Sequence, residues 1–257
     1  VLLMRVLDAS RAYLYAHRDE PVDAEDAEAY KCLLDRRERR EPLAYITGVK
    51  EFFALDFYVD QRVLIPRPET ETLVEECLRL LTQHGTQAPV LADIGTGSGA
   101  IAVALAHHLP EARVYAADSS TKALQVAFLN CLRHGVQDRV LLLQGNLLEP
   151  LPEPVDVILA NLPYVPTSAL AALAPEIALY EPRMALDGGS DGLDLIRGLL
   201  AQAPRRLRPG GAIMLEIGAD QGADVTRAAA AAMLGASARV VKDLAGLDRV
   251  VVIELAA

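Results

Sequence analysis

The spacing of apolar positions changes character near residue 60. Before that point, residues 24–34 are mostly good helix formers and run into Arg36-Arg37-Glu38-Arg39-Arg40-Glu41, where Pro42 predicts a stop. Residues 1 to about 47 therefore read as helical. Phe52-Phe53-Ala54-Leu55-Asp56-Phe57-Tyr58-Val59 is aromatic and β-branched at its ends and predicts a hairpin region. After Pro66 the chain alternates between helix and strand. Leu73, Val74, Cys77, Leu78 and Leu81 recur at helical spacing, with Gly85 just beyond. Residues 90–94, 114–117, 140–143 and 155–160 read as short buried strands. Between the first three lie an Ala-rich helix ending near Leu109 and a second helix over 121–134. The remainder predicts a helix over 193–207, a turn at Pro209-Gly210-Gly211 and a strand over 213–217. A helix over 221–234 and strands near 238–241 and 249–254 complete the pattern.

Apolar strands alternating with helices predict a mostly parallel sheet covered on both faces. The last two strands are joined by too few residues for a right-handed crossover, so they should pair antiparallel. The expected fold is α/β: a seven-stranded, mostly parallel, doubly wound sheet ending in an antiparallel hairpin. Most of the aromatic residues precede residue 60. That shift predicts a small N-terminal helical domain with a hairpin linker over 1–60, and a larger domain over 61–257.

Composition narrows the function. At roughly 150 residues per domain, 257 residues make one large or two smaller domains. Hydrophobic residues are 52% of the chain, ample for a packed core. The net charge of −10 disfavours a protein that coats nucleic acid or an anionic membrane. No apolar stretch nears the length of a bilayer span, and no apolar leader follows a basic start. Cys32, Cys77 and Cys131 are far apart and odd in number. They form neither a disulfide framework nor a zinc motif, and they predict a reducing cytoplasm. No metal site is expected. The chain opens on Val1, which predicts a missing N-terminal piece.

Asp93-Ile94-Gly95-Thr96-Gly97-Ser98-Gly99 joins the first sheet strand to its helix. Glycines let the backbone turn sharply and leave room for a ligand against the main chain. The helix N-terminus adds free N–H groups suited to a carboxylate or phosphate. Asp118 ends the next strand, where it can accept hydrogen bonds from ribose hydroxyls. Together they point to an adenosine-containing cofactor. A plain tight turn remains open, as does a dinucleotide site, because Gly95-x-Gly97-x-x-Ala100 also fits that fingerprint.

Asn161-Leu162-Pro163-Tyr164 directly follows the fourth strand. In a doubly wound sheet the carboxyl ends of the first and fourth strands flank the ligand crevice, so this element should face the glycine loop. Pro163 fixes its own φ and biases Leu162 towards an extended shape. Such a strand end can aim the Asn161 side-chain oxygen and the Leu162 carbonyl at one planar –NH2 group. The alternative is a proline turn with Asn161 bonded to its own backbone. Amide or amine methylation needs two converging acceptors, whereas hydride transfer does not.

With Asp93-x-Gly-x-Gly-x-Gly and Asp118, this element resembles class I S-adenosylmethionine-dependent amino-group methyltransferases. Further segments are similar to the release-factor glutamine N5-methyltransferase family. They are Glu41-Pro-Leu-Ala-Tyr-Ile-Thr-Gly48, Val63-Leu-Ile-Pro-Arg-Pro-Glu-Thr-Glu71, Glu181-Pro-Arg-Met-Ala-Leu-Asp-Gly-Gly-Ser-Asp-Gly192 and Leu215-Glu-Ile-Gly218. The resemblance runs in order from about residue 25 to the end. It implies a Rossmann-like methyltransferase fold and a helical N-terminal domain that binds class I peptide chain release factors. The implied reaction moves a methyl group from S-adenosyl-L-methionine to the glutamine of the Gly-Gly-Gln loop in those factors, leaving S-adenosyl-L-homocysteine. By matching position, Gly95, Thr96, Gly97, Ser98 and Gly99 would hold the methionine end of the cofactor and Asp118 its ribose. Asn146 would meet the adenine edge and Leu147 the adenine ring. Asn161, Leu162, Pro163 and Tyr164 would hold the substrate amide, with Asn161 bordering the cofactor as well. The family has Asp at the position of Asn146 and Pro at that of Leu162. Both substitutions keep the acceptor oxygen concerned. The family also usually has a further helix upstream.

Asn-Leu-Pro-Tyr also occurs in rRNA adenine dimethyltransferases, which makes a nucleic-acid N6-adenine methyltransferase the leading alternative. A non-catalytic adenosine-cofactor binder is the third reading. His107-His108 reads as solvent-facing, because neighbouring residues lie on different helix faces and no carboxylate stands at a chelating spacing. The run Arg36 to Arg40 reads as a solvated helix end, with RNA or an acidic partner as its alternative. Residues 167–178 read either as a mobile flap or as a plain helical connection.

Overall fold

A computed structural model describes residues 1–255. The N-terminal helices are α1 (Leu2–Val6), α2 (Arg11–Ala16), α3 (Ala24–Glu38) and α4 (Leu43–Thr47). Ser10 and Asp23 cap α2 and α3, their side-chain oxygens accepting from the N–H groups of Tyr13 and Asp26. Helix α3 ends at Glu38, ahead of Pro42, which instead caps α4. The hairpin begins earlier than its aromatic run suggests. Its strands are β1 (Val49–Phe52) and β2 (Leu55–Tyr58), paired antiparallel around Phe53-Ala54. Those two residues hold φ of 51° and 58°, as a two-residue hairpin turn demands and as side chains rarely allow.

The main sheet contains β3 (Val90–Ile94), β4 (Arg113–Asp118), β5 (Val140–Gln144), β6 (Val155–Ala160), β7 (Leu207–Glu216), β8 (Ser237–Lys242) and β9 (Asp248–Glu254). Its order is β5-β4-β3-β6-β7-β9-β8, with β9 antiparallel to both β7 and β8. This is the seven-stranded doubly wound arrangement that the alternating pattern predicts. Helices α5 (Glu71–His84), α6 (Ala100–His108) and α7 (Thr121–Arg133) cover one face. The other face is covered by α9 (Asp194–Gln202) and α10 (Gly222–Ala232). A short helix α8 (Pro175–Tyr180) lies between β6 and α9 in the chain. Helix α5 carries its buried side chains Leu73, Val74, Cys77, Leu80 and Leu81 on one stripe and closes on left-handed Gly85.

Two expectations fail around residue 205. The helix over 193–207 is shorter: α9 stops at Gln202 and a 3₁₀ turn, Ala203–Arg205, follows. Pro209-Gly210-Gly211 is no turn but part of β7, where the pairing with β6 shifts register between Val155 and Val157. Glycine suits that irregularity, since a side chain on Gly211 would stand 2.9 Å from the Asp156 carbonyl. Residues 167–178 form a 3₁₀ stretch, Thr167–Ala172, and the start of α8.

The basic end of α3 is not a free solvated face. Arg36 forms a two-pronged pair with Glu41 at 2.8 and 2.6 Å. Arg37 and Arg40 both reach Glu176 on α8 at 3.0 Å, and the Tyr180 hydroxyl donates to the Arg39 carbonyl at 2.6 Å. The charged run therefore ties the N-terminal helices to the segment after β6. Cys77 and Cys131 are buried, Cys32 is exposed, and all are free thiols. Among the described residues, no helix is long and apolar enough to cross a membrane.

Candidate active site

The strand order reverses between β3 and β6, which lie side by side with Ile94 opposite Ala160. The next residues, Gly95 and Asn161, leave the sheet together at its carboxyl edge. A crevice opens there, as expected at such a switch point. Gly95, Thr96, Gly97, Ser98, Asp118, Asn146, Leu147, Asn161, Leu162 and Pro163 all line it. Of the residues named from sequence, Gly99 and Tyr164 do not. Gly99 stands at the start of α6, where a side chain would press on Ala127 at 3.2 Å.

The glycine loop is braced from behind. Gly95 and Thr96 donate their N–H groups to the Ala117 carbonyl at 2.8 and 3.0 Å. The Thr96 hydroxyl donates to Asp93 Oδ2 at 2.6 Å, and the Ala102 N–H reaches the same oxygen at 3.1 Å. Burial pushes the Asp93 carboxyl up to about 7, and its Oδ1 has no hydrogen-bond partner. Asn130 on α7 is fully buried and clamps the loop to the hairpin. Its Nδ2 donates to the Ser98 and Tyr58 carbonyls at 2.8 and 3.0 Å, and its Oδ1 accepts from the Tyr58 N–H at 2.8 Å.

Asp118 touches the loop directly. Its Oδ2 accepts from the Gly97 N–H at 2.9 Å and its Oδ1 from the Ser120 N–H at 2.8 Å. Burial raises its carboxyl above the usual range, against the pull of those N–H groups. Asp118 also lines the crevice, where an ionised carboxylate can accept from hydroxyl donors. Asn146 donates its Nδ2 to Glu149 Oε1 at 3.1 Å, which leaves its own oxygen as an acceptor. Leu147 beside it holds φ 50°, an uncommon conformation for a branched side chain and one that turns the chain at the crevice wall.

Asn161 is not bonded to its own backbone. Its Nδ2 donates to Thr70 Oγ1 at 3.1 Å, so its Oδ1 is the free end. The Leu162 side chain is 4% exposed and packs into the core on the α9 side of the sheet. Tyr164 does not line the crevice, and burial, with the negative charge of Glu216 as a lesser cause, raises its hydroxyl to about 12. Its carbonyl accepts from Gln221 Nε2 at 3.0 Å, while Gln221 Oε1 accepts from the Gly218 N–H at 2.8 Å. Beyond it, Val165 exchanges backbone hydrogen bonds with Leu186 and Gly188. A side chain at Gly188 would stand 2.6 Å from the Pro163 carbonyl. The segment 181–192 thus forms the second wall of this element. Its first residue, Glu181, is 6% exposed and accepts from Arg67 Nη2 at 2.5 Å and from the Ile65 N–H at 3.3 Å.

The chain is 45% identical to the release factor glutamine methyltransferase of Geobacter sulfurreducens, across 97% of this chain and 86% of that protein. It is 47% identical to the same-named protein of Moorella thermoacetica, across 97% and 87%. The chain belongs to the release factor glutamine methyltransferase family. The family profile described as PrmC N-terminal domain matches residues 1–48 of this methyltransferase. A second profile, described as ribosomal protein L11 methyltransferase (PrmA), matches residues 70–186, less than half of the chain. A solved methyltransferase from Pyrococcus furiosus shares the fold, with TM-score 0.61 at 20% identity over 87% of this chain and 99% of that one.

Several residues that shape the site of this methyltransferase escape a reading along the sequence. Thr70, Asn130 and Gln221 each act on a segment far away in the chain. Asn130, between Leu129 and Cys131, stands out as a polar residue in an apolar run, whereas Thr70, between Glu69 and Glu71, does not.

Proposed function

We propose that this methyltransferase transfers a methyl group from S-adenosyl-L-methionine to the side-chain N5 of the glutamine in the Gly-Gly-Gln loop of class I peptide chain release factors. The observation that carries this reading is the free Asn161 Oδ1 beside the glycine loop, its amide nitrogen being held by Thr70. The names of the full-length relatives support the substrate. The net charge of −10 weighs against a nucleic-acid adenine as the acceptor.

The residues fit an adenosine cofactor. Gly95 and Gly97 leave open backbone at the crevice, each with positive φ. Asp118 presents carboxylate oxygens to ribose hydroxyls, and Asn146 presents an acceptor to an exocyclic amine. When bound, S-adenosyl-L-methionine supplies a methyl group on positively charged sulfur. An amide nitrogen is a poor nucleophile because its lone pair is delocalised into the carbonyl. Asn161 Oδ1 and the Leu162 carbonyl would accept the two hydrogens of the substrate amide. As positive charge develops on that nitrogen the two hydrogen bonds strengthen, and this lowers the barrier instead of only tightening binding. Pro163 stiffens the element, while Tyr164 anchors its far end through Gln221. Residues 1–60 would serve as the release-factor-binding part, joined to the crevice region through Arg37, Arg40 and Glu176. An enzyme of this kind acts in the cytoplasm, on translation termination.

Mass spectrometry of a release-factor digest tests the reading. After incubation with S-adenosyl-L-methionine, the Gly-Gly-Gln peptide should carry one methyl group on its glutamine. A peptide that stays unmodified while the cofactor binds would refute it.

A further inference from the structure

The linker between the hairpin and the main sheet places a cation at the crevice wall. Arg62 lines the crevice together with Asp118, Ser119, Ser120 and Ala123, yet it belongs to none of the segments that resemble the family. Its side chain is partly buried and is held from two sides. On the linker, Nε donates to Asp60 Oδ1 and Oδ2 at 2.9 and 3.0 Å, and Nη2 donates to Oδ2 at 2.6 Å. On α7, Nη1 donates to Gln125 Oε1 at 3.3 Å. Asp60 is fixed in turn. Its Oδ1 accepts from the Arg62 backbone N–H at 3.0 Å and its Oδ2 from the Tyr58 hydroxyl at 2.8 Å. The Arg62 side chain is the main cause holding the Asp60 carboxyl below the usual carboxylate range.

Tyr58 joins the same linker to the glycine loop. Its backbone N–H and carbonyl both bond to Asn130, whose Nδ2 also reaches the Ser98 carbonyl. A continuous line of hydrogen bonds therefore runs from Ser98 through Asn130, Tyr58, Asp60 and Arg62 to Gln125. Asn130 and Gln125 both stand on α7, which is capped by Ser120 just after Asp118. The line fixes Arg62 against the crevice as firmly as Asn130 fixes the loop.

A ribose hydroxyl donates one hydrogen bond and accepts others, whereas an ionised carboxylate only accepts. Asp118 can take the hydroxyl protons, and the hydroxyl oxygens are then left in need of donors. A guanidinium carries five N–H groups. The bonds above engage one hydrogen each on Nε, Nη1 and Nη2, so one N–H remains on each terminal nitrogen. Pairing with Asp60 also offsets the charge, which limits repulsion of the positively charged sulfur of the cofactor. Lysine lacks the planar fork that such a set of bonds needs.

We propose that Arg62 is a cofactor-binding residue, its remaining N–H groups donating to the ribose hydroxyl oxygens while Asp118 accepts the hydroxyl protons. Asp60 and Gln125 hold the guanidinium in place for this. The inference rests on the reading of Asp118 as the ribose acceptor. It makes the hairpin linker, and not the main sheet alone, part of the cofactor site.

Calorimetry on the full chain tests this with two probes. One is S-adenosyl-L-homocysteine; the other is 5′-methylthioadenosine, which keeps the ribose and lacks the amino-acid end. Arg62→Ala should weaken both by a similar factor of about 10, as loss of a hydrogen bond from a charged group does. Arg62→Lys should recover only part of that loss. Asp60→Asn keeps the guanidinium but loosens it, and its affinities should fall between those of the wild type and Arg62→Ala. It also carries the comparison if Arg62→Ala does not fold. The melting temperature of unliganded Arg62→Ala should change little, because the pair with Asp60 is partly exposed, while its rise on adding S-adenosyl-L-homocysteine should shrink. Wild-type affinity for both probes in Arg62→Ala would overturn the proposal, as would full recovery in Arg62→Lys. A loss confined to S-adenosyl-L-homocysteine would also overturn it, by placing Arg62 at the amino-acid end. A wild type that binds neither probe would overturn the cofactor reading instead, and unchanged binding in Asp118→Ala would overturn the ribose reading.

Discussion

Gly95 and Leu162 meet where β3 and β6 leave the sheet: a methyl group on Gly95 would stand 3.1 Å from Leu162 Cδ2, on a backbone with φ 74°. The contact sets how closely the glycine loop approaches the acceptor element. Gly95→Ala would add left-handed strain of about 1–2 kcal/mol and push on a core side chain. It should lower the melting temperature and weaken S-adenosyl-L-homocysteine binding, read by thermal melts and calorimetry. Unchanged affinity would separate this contact from the binding site.

Leu162→Pro restores the residue usual in the family. In the proposed reaction the functional atom at this position is the backbone carbonyl, and proline would stiffen its aim. We expect kcat to be kept or modestly raised. The melting temperature should fall slightly, because buried apolar volume is lost at about 0.8 kcal/mol per methylene. A large loss of kcat in a folded Leu162→Pro protein would show that the leucine side chain has a role of its own.

Asp118 serves both the loop and the crevice, since its Oδ2 holds the Gly97 N–H. Asp118→Ala should weaken S-adenosyl-L-homocysteine binding by about 1.5–3 kcal/mol, the worth of hydrogen bonds to a charged group. Calorimetry measures this directly. A variant that binds as the wild type does would remove Asp118 from the site.

Asp93 links the site to pH-dependent stability. Burial lifts its carboxyl from 3.8 to about 7 in the folded protein, so the folded state holds this proton more tightly than the unfolded chain. Its contribution to stability is complete below 3.8 and is lost as pH rises through about 7. Asp93→Asn cannot ionise and keeps an acceptor for Thr96 and Ala102. Thermal melts should show the variant gaining on the wild type as pH rises across that window. Parallel curves would contradict the assignment.

The crevice was legible in the sequence to the extent that its chemistry is local. The Gly95–Gly99 loop, Asp118 and Asn161 each announce themselves by residue type at a strand end, and the topology brings them together. Their supports were not legible. Thr70 meets Asn161 from 91 positions away, and Gln221 holds Tyr164 from 57. No local pattern records such pairings. Pro209-Gly210-Gly211 misled for a physical reason: the same residues that favour a turn also suit a register shift in a strand. Arg37 and Arg40, at and just beyond the end of α3, read as solvated because their partner, Glu176, lies far along the chain.

The account stands or falls on which nitrogen receives the methyl group. Labelled S-adenosyl-L-methionine should be offered with an intact class I release factor, with that factor carrying a changed loop glutamine, and with rRNA and DNA. Label should enter only the unchanged release factor. Asn161→Ala should slow that transfer by roughly 10²- to 10³-fold, as loss of one preorganised hydrogen bond does, with cofactor affinity changing less. Label in an rRNA or DNA adenine, with the release factor left unmodified, would contradict the account.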